Sequence, residues 1–157
     1  MGLYNGKTLL FMNKIHAISF LVLAALSQHC NENNPDQFTL DQQLEIKQEE
    51  VITLDLADES EYIEVQVISI MESRCPSDVT CVRYGEAKVK VSVTGLQEIA
   101  TLVDLCIGEC QGLQDSDTAE VTIDNKHYAV ILTDVIPYPA TTNQSVPKEA
   151  LLRIISL

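Results

Sequence analysis

The residues whose type and spacing most suggest a chemical role are four cysteines. They form two groups, Cys75 with Cys81 and Cys106 with Cys110. Neither pair has the two-residue separation that is typical of zinc thiolate sites and redox-active dithiols, so we interpret them as disulfides. We favour Cys75–Cys81 with Cys106–Cys110 over the two crossed pairings that four cysteines also allow. The second bridge requires the chain to reverse at Gly108, because an extended chain separates those Cα atoms by about 13 Å.

Residues suited to catalysis are sparse. His127 is the one histidine after residue 30, and its place beside a predicted turn is typical of a solvated side chain. The chain contains no Gly-x-Ser-x-Gly, His-Glu-x-x-His or phosphate-binding glycine motif. Its 23 Asp and Glu residues leave open a hydrolase with two facing carboxyl groups, although no pair is singled out. We predict no catalytic residue and no cofactor.

An acidic loop is a weak candidate for a calcium ion. Asp115, Asp117 and Glu120 bring carboxylates together at short intervals, which suits calcium. The segment lacks the glycine and the distal glutamate of an EF-hand loop. A solvated acidic loop is the favoured interpretation, so the sequence predicts no metal site.

The first 29 residues have the composition of a secretory signal peptide. A basic residue, Lys14, precedes the apolar run 15–26, which contains no Asp or Glu and is too short to span a bilayer. Met12 offers a second start position just before this basic residue. Residues 1–29 are therefore predicted to direct export from the cytoplasm.

The segment 26–30, Leu-Ser-Gln-His-Cys, resembles a bacterial lipobox, which implies that Cys30 is lipidated and becomes the first mature residue. Cleavage after Ser27, which would give a plain secreted protein, stays open because small residues also precede that bond. Residues 30–38 are mostly polar and predict a flexible tether. We therefore expect a lipoprotein held in the membrane of the bacterial cell envelope, or a secreted protein if Cys30 is not acylated.

The exported part of the chain is strongly acidic. All 23 acidic residues follow Cys30, against eight Lys and Arg, which gives a formal charge of about −15. This balance argues against nucleic acid, whose binding requires basic patches, and against adsorption to anionic lipid. The membrane would be a partner only through the lipid anchor, and the remaining partner is an unknown protein or glycan.

Residues 39–157 show the period of two that is typical of half-buried strands. Apolar residues alternate in 52–56, 63–67 and 87–93. The apolar set changes parity at Ile68, which predicts either a β-bulge or an edge crossing. The segments 119–123 and 128–132 flank a turn and predict a hairpin. We predict an all-β fold, a single antiparallel β-sandwich of about seven or eight strands.

A short motif occupies residues 74–87. It consists of Arg74-Cys75-Pro76, Asp78-Val79, Cys81 and Gly85-Glu86-Ala87. The stretch resembles a set of small bacterial secreted proteins and lipoproteins that share the pattern Arg-Cys-Pro-x-Asp-Val-x-Cys followed by Gly-Glu-Ala. The resemblance implies a β-rich extracytoplasmic domain with no established activity. Arg83 and Tyr84 stand where the pattern often carries Trp, so any role of that Trp does not transfer.

The predicted function is that of a non-catalytic binding module or a structural module of the envelope. Its candidate binding loop is closed by the Cys75–Cys81 bridge and includes Arg74, Pro76, Asp78, Arg83 and Tyr84. One alternative is a protease inhibitor, in which this rigid loop, flanked by Arg74, enters a protease cleft. A glycan-acting hydrolase is the other alternative.

Overall fold

The computed structural model describes residues 38–56 and 60–157. Within these ranges the chain forms ten β-strands: β1 (Phe38–Thr39), β2 (Gln43–Lys47), β3 (Val51–Asp55), β4 (Tyr62–Glu72), β5 (Glu86–Thr94), β6 (Ala100–Glu109), β7 (Leu113–Gln114), β8 (Asp117–Ile123), β9 (Lys126–Ile136) and β10 (Glu149–Ser156). A six-stranded sheet has the order β1-β3-β4-β5-β6-β7, and a four-stranded sheet has the order β2-β10-β9-β8. The all-β prediction is confirmed.

Buried side chains from both sheets belong to one hydrophobic core. In β5, alternate residues from Ala87 to Val93 are inaccessible to solvent, and Leu132 and Leu152 of the four-stranded sheet lie in the same cluster. Burial of each such valine or leucine stabilises the fold by about 1.5–3 kcal/mol relative to its exposure. The period-two pattern in the sequence is thus the pattern of side chains that the two sheets bury.

A bulge in β4 brings a carboxylate to the inner face of the six-stranded sheet. The register of β4 against β5 shifts between Val67 and Ser69, so Ile68 is the extra residue that the parity change predicts. Beyond the bulge, Glu72 pairs with Ala87, which faces the core. Paired residues of neighbouring strands share a face, so Glu72 lies on the core side at the end of β4.

A second bulge, in β9, has the opposite effect on another carboxylate. The register of β9 against β10 shifts at Thr133. Val135 is therefore buried, and Asp134 lies on the other face of the sheet. Uninterrupted alternation from buried Leu132 would instead direct Asp134 into the core. This bulge was not predicted, because the run of apolar residues in β9 conceals the change of parity.

The predicted hairpin is formed by β8 and β9. Its turn has only two residues, Asp124 and Asn125, with φ angles of 49° and 64°. Positive φ at both central residues is the conformation that matches the twist of two antiparallel strands, and Asp and Asn tolerate it. The Asp124 carboxylate also accepts the Leu96 N–H at 2.7 Å and the Gln97 N–H at 3.3 Å, so it joins this hairpin to the six-stranded sheet.

Three details differ from the prediction. There are ten strands in the described residues rather than seven or eight, because β1 and β7 have two residues each and leave no periodic signal. The β1–β3 pair is parallel, and Phe38, predicted as the last tether residue, belongs to β1. The signal segment, Cys30 and the rest of the tether lie outside the described residues. No helix in the described part of the chain is long and apolar enough to cross a membrane.

The described ranges contain two disulfides, Cys75–Cys81 and Cys106–Cys110, the pairing that the sequence favours. Their presence is consistent with an extracytoplasmic location, where oxidising conditions maintain such bonds. The chain does not reverse at Gly108 as predicted. Gly108 has a φ of 93° inside β6, and the turn follows at 110–112. The positive φ bends the strand, and the Cα atoms of Cys106 and Cys110 come within 6.2 Å of each other.

Gly85 provides a test of how tightly the segment before β5 is packed. Its φ is 76°, and a Cβ atom at this position would lie 2.1 Å from the carbonyl oxygen of Ser73. Ser73 cannot move away easily, because its N–H donates to the Glu86 carbonyl at 2.8 Å. We expect Gly85→Ala to lower the free energy of unfolding by about 3 kcal/mol or more, measured by urea denaturation.

Gly112→Ala is the matched control for this substitution. Gly112 also has a positive φ, 147°, but no atom lies within 4 Å of the position of its Cβ. We expect a loss of about 1 kcal/mol from backbone strain alone. Equal losses in the two variants would contradict the steric explanation for Gly85.

Candidate functional site

The site is organised by a buried arginine. Arg74 follows β4 by two residues and is only 6% exposed. Its Nε donates to both carboxylate oxygens of Glu72, at 3.0 and 3.1 Å, and Nη2 donates to Oε2 at 2.6 Å. The Arg74 backbone N–H also donates to Glu72 Oε1 at 2.9 Å. The β4 bulge turns the Glu72 carboxylate inward, and Arg74, two residues later in the chain, neutralises its charge.

The same guanidinium reaches the four-stranded sheet. Nη1 donates to Asp134 Oδ1 at 2.8 Å, and Nη2 donates to the Val135 carbonyl at 2.5 Å. The guanidinium carbon lies 4.5 Å from the centre of the Tyr138 ring, in a cation–π contact. Burial lowers the pKa of Arg74, but the hydrogen bonds that it donates to Glu72 and Asp134, together with their negative charges, outweigh burial, and the pKa is raised. Arg74 therefore ties the end of β4 to the end of β9.

The segment 75–84, here called the disulfide loop, is held at both ends and in the middle. At its ends, the Cys75 N–H donates to the Tyr84 carbonyl at 2.7 Å. Ser77 N–H donates to the Pro139 carbonyl at 2.9 Å, which attaches the loop to the segment after β9. These bonds and the Cys75–Cys81 bridge leave the loop little conformational freedom. By chain entropy alone, so short a bridge contributes about 2 kcal/mol.

Asp78 provides a further attachment of the disulfide loop. Its carboxylate accepts the Thr141 backbone N–H at 3.0 Å and also the Thr141 hydroxyl. The hydroxyl bond, followed by the backbone bond, lowers the pKa of Asp78 below its usual value. Because the pKa is lowered, Asp78 is ionised and accepts both hydrogen bonds from Thr141 at any pH above the ordinary titration range of an aspartate. The attachment is lost as the pH falls through the lowered pKa, because protonation weakens the carboxylate as an acceptor.

The tip of the disulfide loop presents apolar and cationic side chains to solvent. Val82 is fully exposed, and Val79 and Tyr84 are each about half exposed. Arg83 is also exposed, and its Nε lies 3.6 Å from a Glu109 carboxylate oxygen. An exposed ion pair of this length contributes little to stability, so Arg83 is available to a partner.

A cleft of about 250 Å³ lies beside the disulfide loop. We call it the tyrosine cleft, and its polar lining comprises Arg74, Tyr84, Gln114, Asp115, Thr133, Asp134 and Tyr138. A groove of about 430 Å³ on the loop itself shares Tyr84 and Tyr138 with this cleft. Burial, followed by a hydrogen bond to the Tyr84 hydroxyl, raises the pKa of the Tyr138 hydroxyl. The tyrosine pair thus forms the boundary between two adjoining concave surfaces.

The predicted binding-loop residues have three different roles in the structure. Pro76 lines the loop groove, Asp78 anchors the loop, and Arg83 and Tyr84 are exposed where the loop ends. Arg74 is not the accessible flanking cation that the inhibitor hypothesis requires, because two carboxylates and a carbonyl enclose it. That part of the prediction is wrong.

Several functional residues escaped the sequence analysis. Glu72, Asp134 and Tyr138 surround Arg74, yet they lie 2, 60 and 64 positions from it in the chain. The change of parity at Ile68 could have placed Glu72 on the inner face. No local pattern in the sequence connects Asp134 to Arg74, because only the packing of the two sheets against each other brings these residues together.

The calcium candidates do not form a ligand set. Asp115 lines the tyrosine cleft, whereas Asp117 Oδ2 accepts the Cys106 N–H at 2.8 Å, and Glu120 is exposed on β8. Within the described residues, the one close group of three potential ligands is Glu86, Cys106 and Cys110. Because both of these cysteines are in a disulfide, they provide no thiolate for a metal.

Comparison of the chain with protein-family models, with curated proteins and with solved structures found no match.

The ion pair of Arg74 leads to a prediction about stability. Replacing Arg74 with Met leaves the Glu72 carboxylate, whose side chain is 10% exposed, without its counter-charge. We expect Arg74→Met to lower the free energy of unfolding by about 3–5 kcal/mol, and Glu72→Gln in the same chain to restore part of the loss. Urea denaturation of the oxidised protein measures both effects.

Arg83→Met is the matched control, because it removes the same charge from an exposed position. We expect it to change the free energy of unfolding by less than about 0.5 kcal/mol. A similar loss in the two arginine variants would show that the buried ion pair is not what holds this end of the domain.

Proposed function

We propose that this protein is a lipid-anchored, extracytoplasmic β-sandwich that binds another molecule without transforming it. Its binding surface consists of the disulfide loop and the tyrosine cleft. The observation that carries this proposal is the contrast between a tightly held loop backbone and a fully exposed tip at Val82 and Arg83. The resemblance of residues 74–87 to small bacterial secreted proteins and lipoproteins supports the same location.

Rigidity makes the disulfide loop suitable for recognition. A bridge, two backbone hydrogen bonds and the Asp78 attachment fix the segment before any partner arrives. Binding by a loop that is already ordered avoids the loss of conformational entropy that a flexible loop incurs. A purely structural segment would gain nothing from exposing apolar side chains at its tip, since their burial inside the fold would be more stable.

The composition of the tip also supports binding. Tyrosine and arginine are enriched among the residues that dominate binding energy at protein interfaces, and Tyr84 and Arg83 are adjacent here. Val79 and Val82 add apolar surface around them. Exposed apolar patches of this kind mark interaction sites in soluble domains.

The two alternatives remain predictions. A protease inhibitor would now have to use Arg83 as its exposed cation, because Arg74 is enclosed. A hydrolase would use Asp115 and Asp134, which line one cleft, but Asp134 Oδ1 is already bound by Arg74 and by the Val135 N–H. A binding module requires neither a cleavable loop nor a free pair of carboxyl groups.

Photo-crosslinking in bacterial cells that make the full chain tests the binding surface. A benzoylphenylalanine at position 82 is expected to give a discrete adduct, whereas one at Val51, which is half exposed on β3, gives none. An excess of oxidised protein should compete for the adduct, and a Cys75→Ser, Cys81→Ser variant should compete less well. Equal adducts from both positions, or none from position 82, would refute the assignment of this surface.

Mass spectrometry of the N-terminal peptide tests the anchor independently. We expect Cys30 to carry a diacylglyceryl thioether, and Cys30→Ala to move the protein from the membrane fraction to the soluble fraction. Unmodified Cys30 in membrane fractions, or wild-type protein free in the medium, would contradict lipid attachment while leaving the binding surface untouched.

A further inference from the structure

The tyrosine cleft is rich in hydrogen-bond acceptors. Both bonds to the Asp134 carboxylate fall on Oδ1, so Oδ2 has no partner within the described residues. Gln114 uses its amide N–H to bind the Cys106 carbonyl at 2.6 Å, which leaves Oε1 as an acceptor. Asp115 is exposed, and no residue in the described part of the chain binds its carboxylate. Three side chains therefore offer oxygens to a ligand.

The donors of the same cleft are largely committed. Four of the five N–H groups of Arg74 already bind Glu72, Asp134 or the Val135 carbonyl. The Thr133 hydroxyl donates to the Leu151 carbonyl at 3.1 Å. Arg74 also balances only one of the three carboxylates of Glu72, Asp134 and Asp115. Glu72 itself does not line the cleft, so its charged lining residues, Arg74, Asp115 and Asp134, have a formal charge of −1. The cleft is therefore an acidic site that is rich in acceptors.

An aromatic face completes this set. The Tyr138 ring already holds the Arg74 guanidinium at 4.5 Å. The half-exposed Tyr84 ring lines the same cleft and offers a second face for a cation. Attraction of a cation to a tyrosine ring contributes about 0.5–2 kcal/mol, depending on how far the pair is removed from water.

From these features we infer that the tyrosine cleft binds an arginine or lysine side chain of a partner protein. The inference rests on the proposed function and names the chemistry of its ligand. A guanidinium or ammonium group supplies donors for the free acceptors and a positive charge that offsets the carboxylate which Arg74 leaves unbalanced. The volume, about 250 Å³, is below the usual range of 300–1,000 Å³ for drug-sized ligands and suits a single long side chain.

The adjoining groove specifies what lies next to this cation in the partner. Pro76, Val79 and Val82 line the groove, which meets the tyrosine cleft at Tyr84 and Tyr138. A segment in which a basic residue is adjacent to an apolar residue would occupy both surfaces. The formal charge of about −15 on the exported chain also attracts basic partners over longer distances.

Three blocked tetrapeptides test the inference with isotope-labelled, oxidised full-length protein. The first is acetyl-Gly-Arg-Leu-Gly-amide, the second has citrulline in place of arginine, and the third has serine in place of leucine. Citrulline keeps the shape of arginine and removes its charge. Amide resonances of Gln114, Thr133 and Asp134 report on the cleft, and those of Val79 and Val82 report on the groove. Chitotriose serves as a neutral saccharide probe at the same concentrations.

We expect the arginine peptide to shift both sets of resonances and to bind at least ten-fold more tightly than the citrulline peptide. The serine peptide should shift the cleft resonances only and bind about three-fold more weakly. Asp115→Asn should weaken binding of the arginine peptide three- to ten-fold, and 0.5 M salt should weaken it further. Asp55→Asn, which removes an exposed carboxylate from β3, next to the edge strand β1 on the other side of the six-stranded sheet, should leave binding unchanged.

Equal binding of the arginine and citrulline peptides would overturn the inference, as would shifts confined to other surfaces. Shifts of the cleft resonances by chitotriose without an effect of the arginine peptide would assign the cleft to neutral saccharides instead. If the peptides do not bind but the crosslink from position 82 is still formed, the inferred ligand, a basic side chain, is wrong. The proposed binding surface is then still supported. Loss of both results would remove the proposed function itself.

Discussion

The charge of Arg74 is the constraint around which this end of the domain is built. A bulge in β4 turns the Glu72 carboxylate toward the core side of the sheet, where an unpaired charge would be strongly unfavourable. Arg74 compensates that charge and extends to Asp134 and the Val135 carbonyl. Because one guanidinium satisfies groups from both sheets, the two sheets and the start of the disulfide loop are fixed relative to one another.

The disulfide loop depends on this arrangement for its position. Its first residue follows Arg74 directly, and its other contacts lead to Pro139 and Thr141, in the segment that begins where β9 ends. The bridge alone would close a ring without orienting it. The ion pair, the Tyr138 contact and the Asp78 attachment orient that ring on the domain, so the exposed tip is held by interactions that lie beneath it.

The same interactions explain why acceptors and negative charge predominate in the tyrosine cleft. Arg74 forms part of the wall, but its hydrogen-bonding capacity is directed into the protein rather than into the cleft. The carboxylates that line the cleft are only partly balanced, and the side chains of Asp115 and Asp134 remain accessible to solvent. A structural ion pair thus produces an acidic, aromatic surface beside the disulfide loop, and that juxtaposition is the basis of the preference for cations that we infer.

The sequence by itself determined the all-β content, the change of parity at Ile68, the place of the β8–β9 hairpin and the favoured disulfide pairing. Each of these depends on residues close together in the chain: alternating burial, Asp124 and Asn125 in a tight turn, and cysteines four and six positions apart. Tertiary structure alone decided that Arg74 is buried, that a bulge at Thr133 turns Asp134 outward, and that Tyr84, Tyr138 and Asp115 share a cleft. These outcomes depend on pairing between strands and packing between sheets, which no local pattern of residue types encodes.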